Sequence, residues 1–487
     1  MALIGAACSR SPQRKLERLA ILPFSNLTGD AALDWVGDAA PAILSQELSG
    51  GTRVLPLRVS SAGIAALANA TQLLHCTFTQ RGGSLQIQYA LEDAERHRMI
   101  TTGSIDGTAL FAVSALARTL DADGARPFST PNPDAAAAWG HGEFERAVAL
   151  DPDFGTAWAS WIAQAAQAGK PDVAAELAGR ALARASLRTP LDKAQIQLSY
   201  ATLRKDEIAR AAALTELARL APHDAGPLLG LAAIEQQARK YSAAEELYRR
   251  VLAIDPGNAN ALNSLGYAQG ESGNLEAAKK TLETYGQNPN QATNALDSLG
   301  EVYFMNGRFA EAEKYFAQVS ARDPNFLKGA PLMKAAYAHW LGGDLAGADA
   351  LMQKYLEFLG KQNDPLVVWR EAVWRYATGR TEQALAMLAQ APPDQAANME
   401  RQRAVWLGKA RIPDDLVQLR TAYQNTNPAA DGLPRTLYAA ALAKAGKTDE
   451  ARALLKLWPL PESASDSLLQ SLIYPRFLEL RKALKIQ

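Results

Sequence analysis

Five histidines, His75, His97, His141, His223 and His339, and two cysteines, Cys8 and Cys76, are the side chains best suited to metal, nucleophilic or redox chemistry in this chain. No histidine has another at metal-ligand spacing, and neither HExxH nor GxSxG occurs, so the signatures of zinc hydrolases and serine nucleophiles are missing. The cysteines form no CxxC pair, so neither a disulfide framework nor a thiolate metal site is expected. Asp30, Asp34 and Asp38 share one helical face, and their spacing reads as favourable charge near a helix start rather than as a metal site. The loop Phe24-Ser25-Asn26-Leu27-Thr28-Gly29-Asp30 follows an apolar run and precedes a helix, the order of many phosphate-binding loops. Phosphate cradles need several glycines so that backbone N–H groups converge, usually beside a lysine. Here there is one glycine, no lysine, and an aspartate that would repel phosphate. No metal and no cofactor is expected, and the chain reads as non-catalytic; an enzyme would need a cleft with a strongly perturbed carboxylate or histidine pair.

Lys plus Arg and Asp plus Glu are equal at 51 each, so no bulk field draws nucleic acid or an anionic membrane, and nucleic acid is not an expected partner. At 487 residues the chain exceeds one ordinary core, which implies several domains or a repeat array. No apolar run approaches the roughly 20 residues of a membrane-spanning helix. The opening MALIGAACSRSP is small and apolar up to Cys8 and abruptly polar after it. It resembles the tail of a bacterial lipoprotein signal, with Cys8 as the lipidated residue, although Gly5 stands where leucine is usual. That resemblance implies a lipid anchor over residues 1–16 and a place at the cell envelope or periplasm, the alternative being the cytoplasm.

The elements that must position any site fall into two regions. Leu19–Phe24 and Val54–Val59 are short apolar runs, expected as inner parallel strands. The run 73–79 and the alternating SLQIQYAL of 84–91 make a hairpin around Gly82 and Gly83, and 99–105 adds a third consecutive strand. The charged cluster from Glu92 to Arg98 reads as a solvated hairpin tip. With helices at about 38–49, 60–69 and 108–120, the order is β-α-β-α-β-β-β-α, a small α/β domain with a mixed sheet over 17–122. Residues 123–134, rich in proline, read as a linker. From 135 to 462 helical period dominates, and an amphipathic stretch over 463–487 reads as a C-terminal capping helix.

Within the helical region units start at 191, 225, 259 and 293, a spacing of 34 residues. The unit 293–326 carries Leu299, Gly300, Tyr303, Ala312, Phe316 and Pro324; 225–258 carries Leu231, Ala232, Ala244, Tyr248 and Pro256; 259–292 carries Leu265, Gly266 and Ala278. These residues resemble the tetratricopeptide repeat signature. Small residues such as Gly300 and Ala312 suit the close crossing of two antiparallel helices, Tyr303 and Phe316 fill the gap between neighbours, and Pro324 ends the second helix. Weaker units extend both ways to about eight helical pairs. The expected architecture is thus multidomain, α/β plus all-α, with an α-α superhelical solenoid after the sheet. The amino-terminal part, through Leu19–Phe24, Asn26-Leu27, Gly29-Asp30, Trp35 and Asp38, resembles the TolB amino-terminal-like domain found before such arrays in bacterial proteins, departing at Ala39, where that family has glycine.

In tetratricopeptide proteins the first helix of each pair lines a concave groove. Carried onto this chain, the inward positions are Asn260, Asn263, Tyr267, Asn294, Asp297, Glu301, Phe304, Tyr337, Trp340, Trp369 and Tyr376. Asn and Asp side chains bond an extended peptide backbone, and aromatics offer anchor pockets, so the resemblance implies a scaffold that binds a protein or peptide. Filling of a superhelix interior is the alternative use of the same residues. The lysines of carboxylate-clamp repeats do not stand at these positions. A sensory or regulatory module acting with a separate kinase or transcriptional regulator is the other functional reading.

Overall fold

The computed structural model describes residues 16–51, 53–67, 70–184, 186–390, 412–425, 438–439, 441–443 and 445–456. Cys8 and the capping helix expected over 463–487 lie outside the described residues. Two compact units divide the chain, the first reaching Ile234 and including Ala253–Asp255, the second formed by Glu235–Leu252 and the residues from Pro256 onward.

The first unit opens with β1 (Glu17–Ile21), β2 (Ser25–Asn26), α1 (Asp34–Leu48), β3 (Val54–Arg58), α2 (Ala62–Leu67), β4 (Gln72–Arg81), β5 (Ser84–Asp93), β6 (Arg98–Gly107) and α3 (Ala109–Leu120). The sheet order is β3-β1-β4-β5-β6, with the short β2 beside β4. β1 is parallel to β3 and β4, whereas β4, β5 and β6 are antiparallel, so the sheet is mixed. β1 is an inner strand, as its apolar run implies, but β3 is an edge, not the inner strand expected. Pro56 inside β3 gives the reason: it has no N–H for a second ladder, and an edge tolerates that. Leu19, Ile21, Leu74, Phe78 and Ile87 face α1 and α3, where Leu44, Leu48, Val113 and Leu116 close the core.

Six helices follow in the same unit: α4 (Pro133–Gly140), α5 (Phe144–Leu150), α6 (Gly155–Gln167), α7 (Pro171–Leu182), α8 (Pro190–Arg204) and α9 (Glu207–Leu220). Asn132 and Thr189 cap α4 and α8, each followed by a proline at the first helical position, where a missing N–H costs nothing. Residues 123–134, read as a linker, are packed in this unit. Arg126 N–H donates to Glu47 O at 2.8 Å, and Ser129 and Thr130 are fully buried, donating to Asp192 at 2.6 Å and Asp151 at 2.5 Å. Helix α10 (Ala225–Gln237) spans the division between the units.

After α11 (Tyr241–Ile254) the second unit contains α12 (Ala259–Glu271), α13 (Leu275–Tyr285), α14 (Ala292–Met305), α15 (Phe309–Arg322), α16 (Ala330–Leu341), α17 (Leu345–Lys361), α18 (Val367–Ala377) and α19 (Thr381–Ala389). Successive helices pair within each unit: α4 with α5, α6 with α7 and α8 with α9 in the first, and α12 with α13, α14 with α15, α16 with α17 and α18 with α19 in the second. The small signature residues are where close crossing demands them: Ala244, Ala278, Ala312, Ala348 and Ala384 are all fully buried. A Cβ on Gly300 would lie 2.4 Å from the Phe316 ring, and one on Gly266 2.5 Å from Leu282. Tyr303 stacks on Tyr315 with ring centroids 5.4 Å apart.

Candidate peptide-binding groove

The candidate residues sit on α12, α14, α16 and α18, the first helices of four consecutive pairs in the second unit. Asn258 caps α12 by accepting from Ala261 N–H, which starts the helix just before Asn260 and Asn263. Asn260 is exposed, whereas Asn263, Tyr267, Asn294, Trp340 and Trp369 are half-buried. Asp297, Glu301, Phe304, Tyr337 and Tyr376 are buried. The surface open to a partner therefore narrows to the first six, and the other five act inside the repeats.

What the two buried carboxylates do is plain from the geometry. Lys334 Nζ on α16 donates to Asp297 Oδ2 at 2.8 Å and Oδ1 at 3.0 Å, and lies 2.6 Å from Glu301 Oε1. It also sits 5.6 Å from the centre of the Phe316 ring. Burial by itself pulls the Lys334 ammonium down, but Glu301 and Asp297 outweigh it and hold it above the ordinary lysine value. Burial, together with the Glu301 charge, pushes the Tyr267 phenol well up, so it stays a neutral donor at any working pH. Asp297 and Glu301 thus tie α14 to α16 and are not free acceptors for a peptide backbone. Sequence reasoning missed Lys334; the one signal for it is a lone cation in the apolar run Ala330–Ala338.

The amides are oriented by neighbours. Ser298 Oγ donates to Asn263 Oδ1 at 2.9 Å, which fixes the amide oxygen of Asn263 against α14. Asn294 donates to Tyr285 OH at 2.9 Å, and Tyr285 OH in turn donates to Gln291 Oε1 at 2.7 Å. The aromatics gather around Trp374, whose ring centre is 5.9 Å from Tyr337 and 5.7 Å from Trp340. Trp374 Nε1 donates to Asp349 Oδ1 at 2.6 Å, and Arg380 clamps that carboxylate at 2.7 and 2.9 Å. Phe304 is edge-on to Phe309 at 5.4 Å. Trp340 thus presents a partly open face on the braced Trp374, and Trp369 is half-buried at the edge of the same core cluster.

The remaining candidates are placed elsewhere. Asp30 caps the short turn Ala31–Leu33, and Asp34 accepts from Asn26 at 2.7 Å, so the opening loop is bonded to itself. His75 and His97 both face Glu92, at 3.1 and 3.2 Å, and His339 lies between Glu313 and Asp344 at 3.1 Å from each. No group of three or more His, Cys, Asp or Glu among the described residues could hold a metal ion, and no helix of the described residues is long and apolar enough to cross a membrane.

Residues 235–299 match the tetratricopeptide repeat family model. The chain carries tetratricopeptide repeats. A TPR repeat-containing protein of Pseudomonas aeruginosa is 31% identical over 106 residues, covering 21% of this chain and 18% of that protein. The cellulose synthase operon protein C of Pseudomonas fluorescens is 26% identical over 295 residues, 49% of this chain and 22% of that protein. The chain spans about a fifth of the length of either relative. The crystal structure of yeast Tom70 superposes with a TM-score of 0.37 at 13% identity, covering 78% of this chain and 92% of that one. Repeats of this type mediate protein–protein interaction.

Proposed function

We propose that the chain is a non-catalytic scaffold that holds an extended segment of a protein partner across α12, α14, α16 and α18. The observation that supports this reading best is that Asn260, Asn263 and Asn294 on α12 and α14, and the half-buried Trp340 and Trp369 on α16 and α18, stay open on the first helices of four consecutive pairs. Side-chain amides pair with both the N–H and C=O of an extended backbone, and partly open indoles take apolar side chains between those contacts. The Lys334 bridge keeps consecutive first helices in register, so these positions are rigid before a partner arrives, which limits the ordering cost of binding.

The setting we propose is the bacterial cell envelope, with Cys8 as a lipid-bearing tether. The polar break after Cys8 and the likeness to a cellulose synthase operon protein support it. Kinship of residues 17–122 with TolB amino-terminal-like domains belongs to the same proposal, supported by their β-α-β-α-β-β-β-α order. Inhibition of lipoprotein processing tests the tether: a shift of the native protein from the membrane to the soluble fraction is expected, and an unchanged distribution removes it.

The groove is tested by the triple variant Asn263→Ala, Asn294→Ala and Trp340→Ala in affinity capture from the native organism, with bound proteins read by mass spectrometry. Loss of a captured protein at unchanged helical circular dichroism is the expected outcome. Equal capture by the variant and the parent chain rejects the groove.

A further inference from the structure

A cavity lies wholly within the first unit, far from the groove residues in sequence. It is a half-open cleft of about 510 Å³ among α1, α3, the packed segment 126–131 and the start of α8. Leu110, Ser114 and Arg118 line it from one face of α3, since residues four apart stack along a helix. Arg126 comes from the crossing segment and Arg188 from the residue before the Thr189 cap. The charged side chains of this lining are these three arginines, and no carboxylate faces the space.

Two of the guanidiniums are held in place. Arg126 lies flat on Gly50, where an added Cβ would meet its Nε at 2.2 Å, and it donates to the Leu220 carbonyl at 3.1 Å. Arg188 pairs with Asp151 at 3.1 Å, and Thr130 fixes that carboxylate from the other side. Arg118 is exposed at the wall and belongs to no ion pair among the described residues. Behind the wall, Ser114 Oγ donates to the buried Glu47 at 2.6 Å, and burial pushes that carboxyl up to about 7, which removes much of its repulsion toward an anion at neutral pH. Gln46, Thr130 and Thr189 add uncharged polar groups to the lining, and Leu110, Phe128, Pro131 and Leu191 give it apolar walls.

We infer that this cavity binds a small organic anion, a carboxylate or phosphate carried on an apolar or aromatic body. The volume lies in the range of small-molecule sites. Guanidiniums are the side chains best matched to planar and tetrahedral anions, and Arg118 and Arg126, which belong to no ion pair among the described residues, give the lining a positive charge that the Asp151-paired Arg188 does not offset. The apolar walls select against a fully hydrated inorganic ion, which would bury nothing there. This site stands independently of the groove, since its lining and the groove residues belong to different units.

Isothermal titration of the full chain with benzoate, phenyl phosphate, inorganic phosphate and benzyl alcohol tests the inference. Benzoate or phenyl phosphate should bind, with the matching ring-free or neutral probe at least roughly tenfold weaker. Arg118→Ala, on an exposed side chain, should weaken that binding by roughly tenfold while leaving the thermal melt in place. Binding of benzyl alcohol as tight as benzoate, binding of inorganic phosphate as tight as phenyl phosphate, an unaffected Arg118→Ala variant, or no binding of either ring-bearing anion up to about 10 mM would each overturn it.

Discussion

The Lys334 ammonium stands 2.6 Å from the Glu301 carboxylate, and both side chains are buried between α14 and α16. With Asp297 on the same ammonium, two carboxylates share one cation in a place water does not reach. Such a cluster adds little net stability over an apolar core, but it strongly penalises removal of one member. It also fixes the register of two helices, because only one alignment lets the ammonium reach both carboxylates.

Lys334→Met should therefore destabilise the second unit by roughly 3–5 kcal/mol, since two buried carboxylates lose their cation. Denaturant titration of the variant against the parent checks this. Combining it with Asp297→Asn and Glu301→Gln should recover most of the loss. The contribution also has a pH window: with the folded ammonium held above its ordinary value of 10.5, the stabilisation is complete below that pH and fades as pH rises through the higher folded value.

Glu47 behaves in the opposite sense. Its Oε2 is buried without a partner, and its carboxyl is raised from 4.5 to about 7 by burial, which outweighs the bonds from Ser114 and Phe128. Between those two values the folded chain holds a proton the unfolded chain has lost, so stability falls as pH rises across the window. Glu47→Gln keeps the Oε1 acceptor and removes the charge. The variant should gain on the order of 2–3 kcal/mol over the parent at pH 8 and match it near pH 4, as read from melts across the range.

Gly300→Ala would place a methyl 2.4 Å from the Phe316 ring, where the two helices of one repeat cross. Overpacking of this kind costs roughly 1–3 kcal/mol. Adding Phe316→Leu should restore part of that loss, and a double-mutant cycle on thermal melts measures the coupling.

Asp349 joins Trp374 to Arg380. Burial works against its charge, but Arg380 and the Trp374 N–H prevail and keep the carboxyl below the usual range. Its support is present above about pH 4 and is lost as pH falls through the lowered value. Asp349→Asn should lower the melting temperature at pH 7 and shift Trp374 fluorescence, and the gap from the parent should close as the pH falls through that value.

Much of the fold was legible in the sequence because helix pairing is local. Ala278, Ala312 and Gly300 recur at one spacing, and each small residue meets a partner only a short way along the chain. Capping reads equally well, as Asn258 and Asn274 before their helices attest. The candidate groove was legible only by register, and register cannot tell an open position from a filled one. Asn263 and Glu301 occupy equivalent kinds of position, yet one is half-buried and the other lies against Lys334. A left-handed turn at Leu327, Lys328 and Gly329 also breaks the even period, so α16 starts at Ala330, later than a constant spacing places it.

By itself the sequence determined the α/β start, the helical repeats after it and the residues that close each helix pair, because periodic burial and capping are written within a few turns of chain. Tertiary structure alone decided that Asp297 and Glu301 are bound by a single lysine of the next repeat, that residues 126–130 are packed rather than free, and that Arg118, Arg126 and Arg188 line one cavity. Each of those outcomes joins residues from different elements, and their chemistry depends on distance and burial in space, which neighbours along the chain do not set.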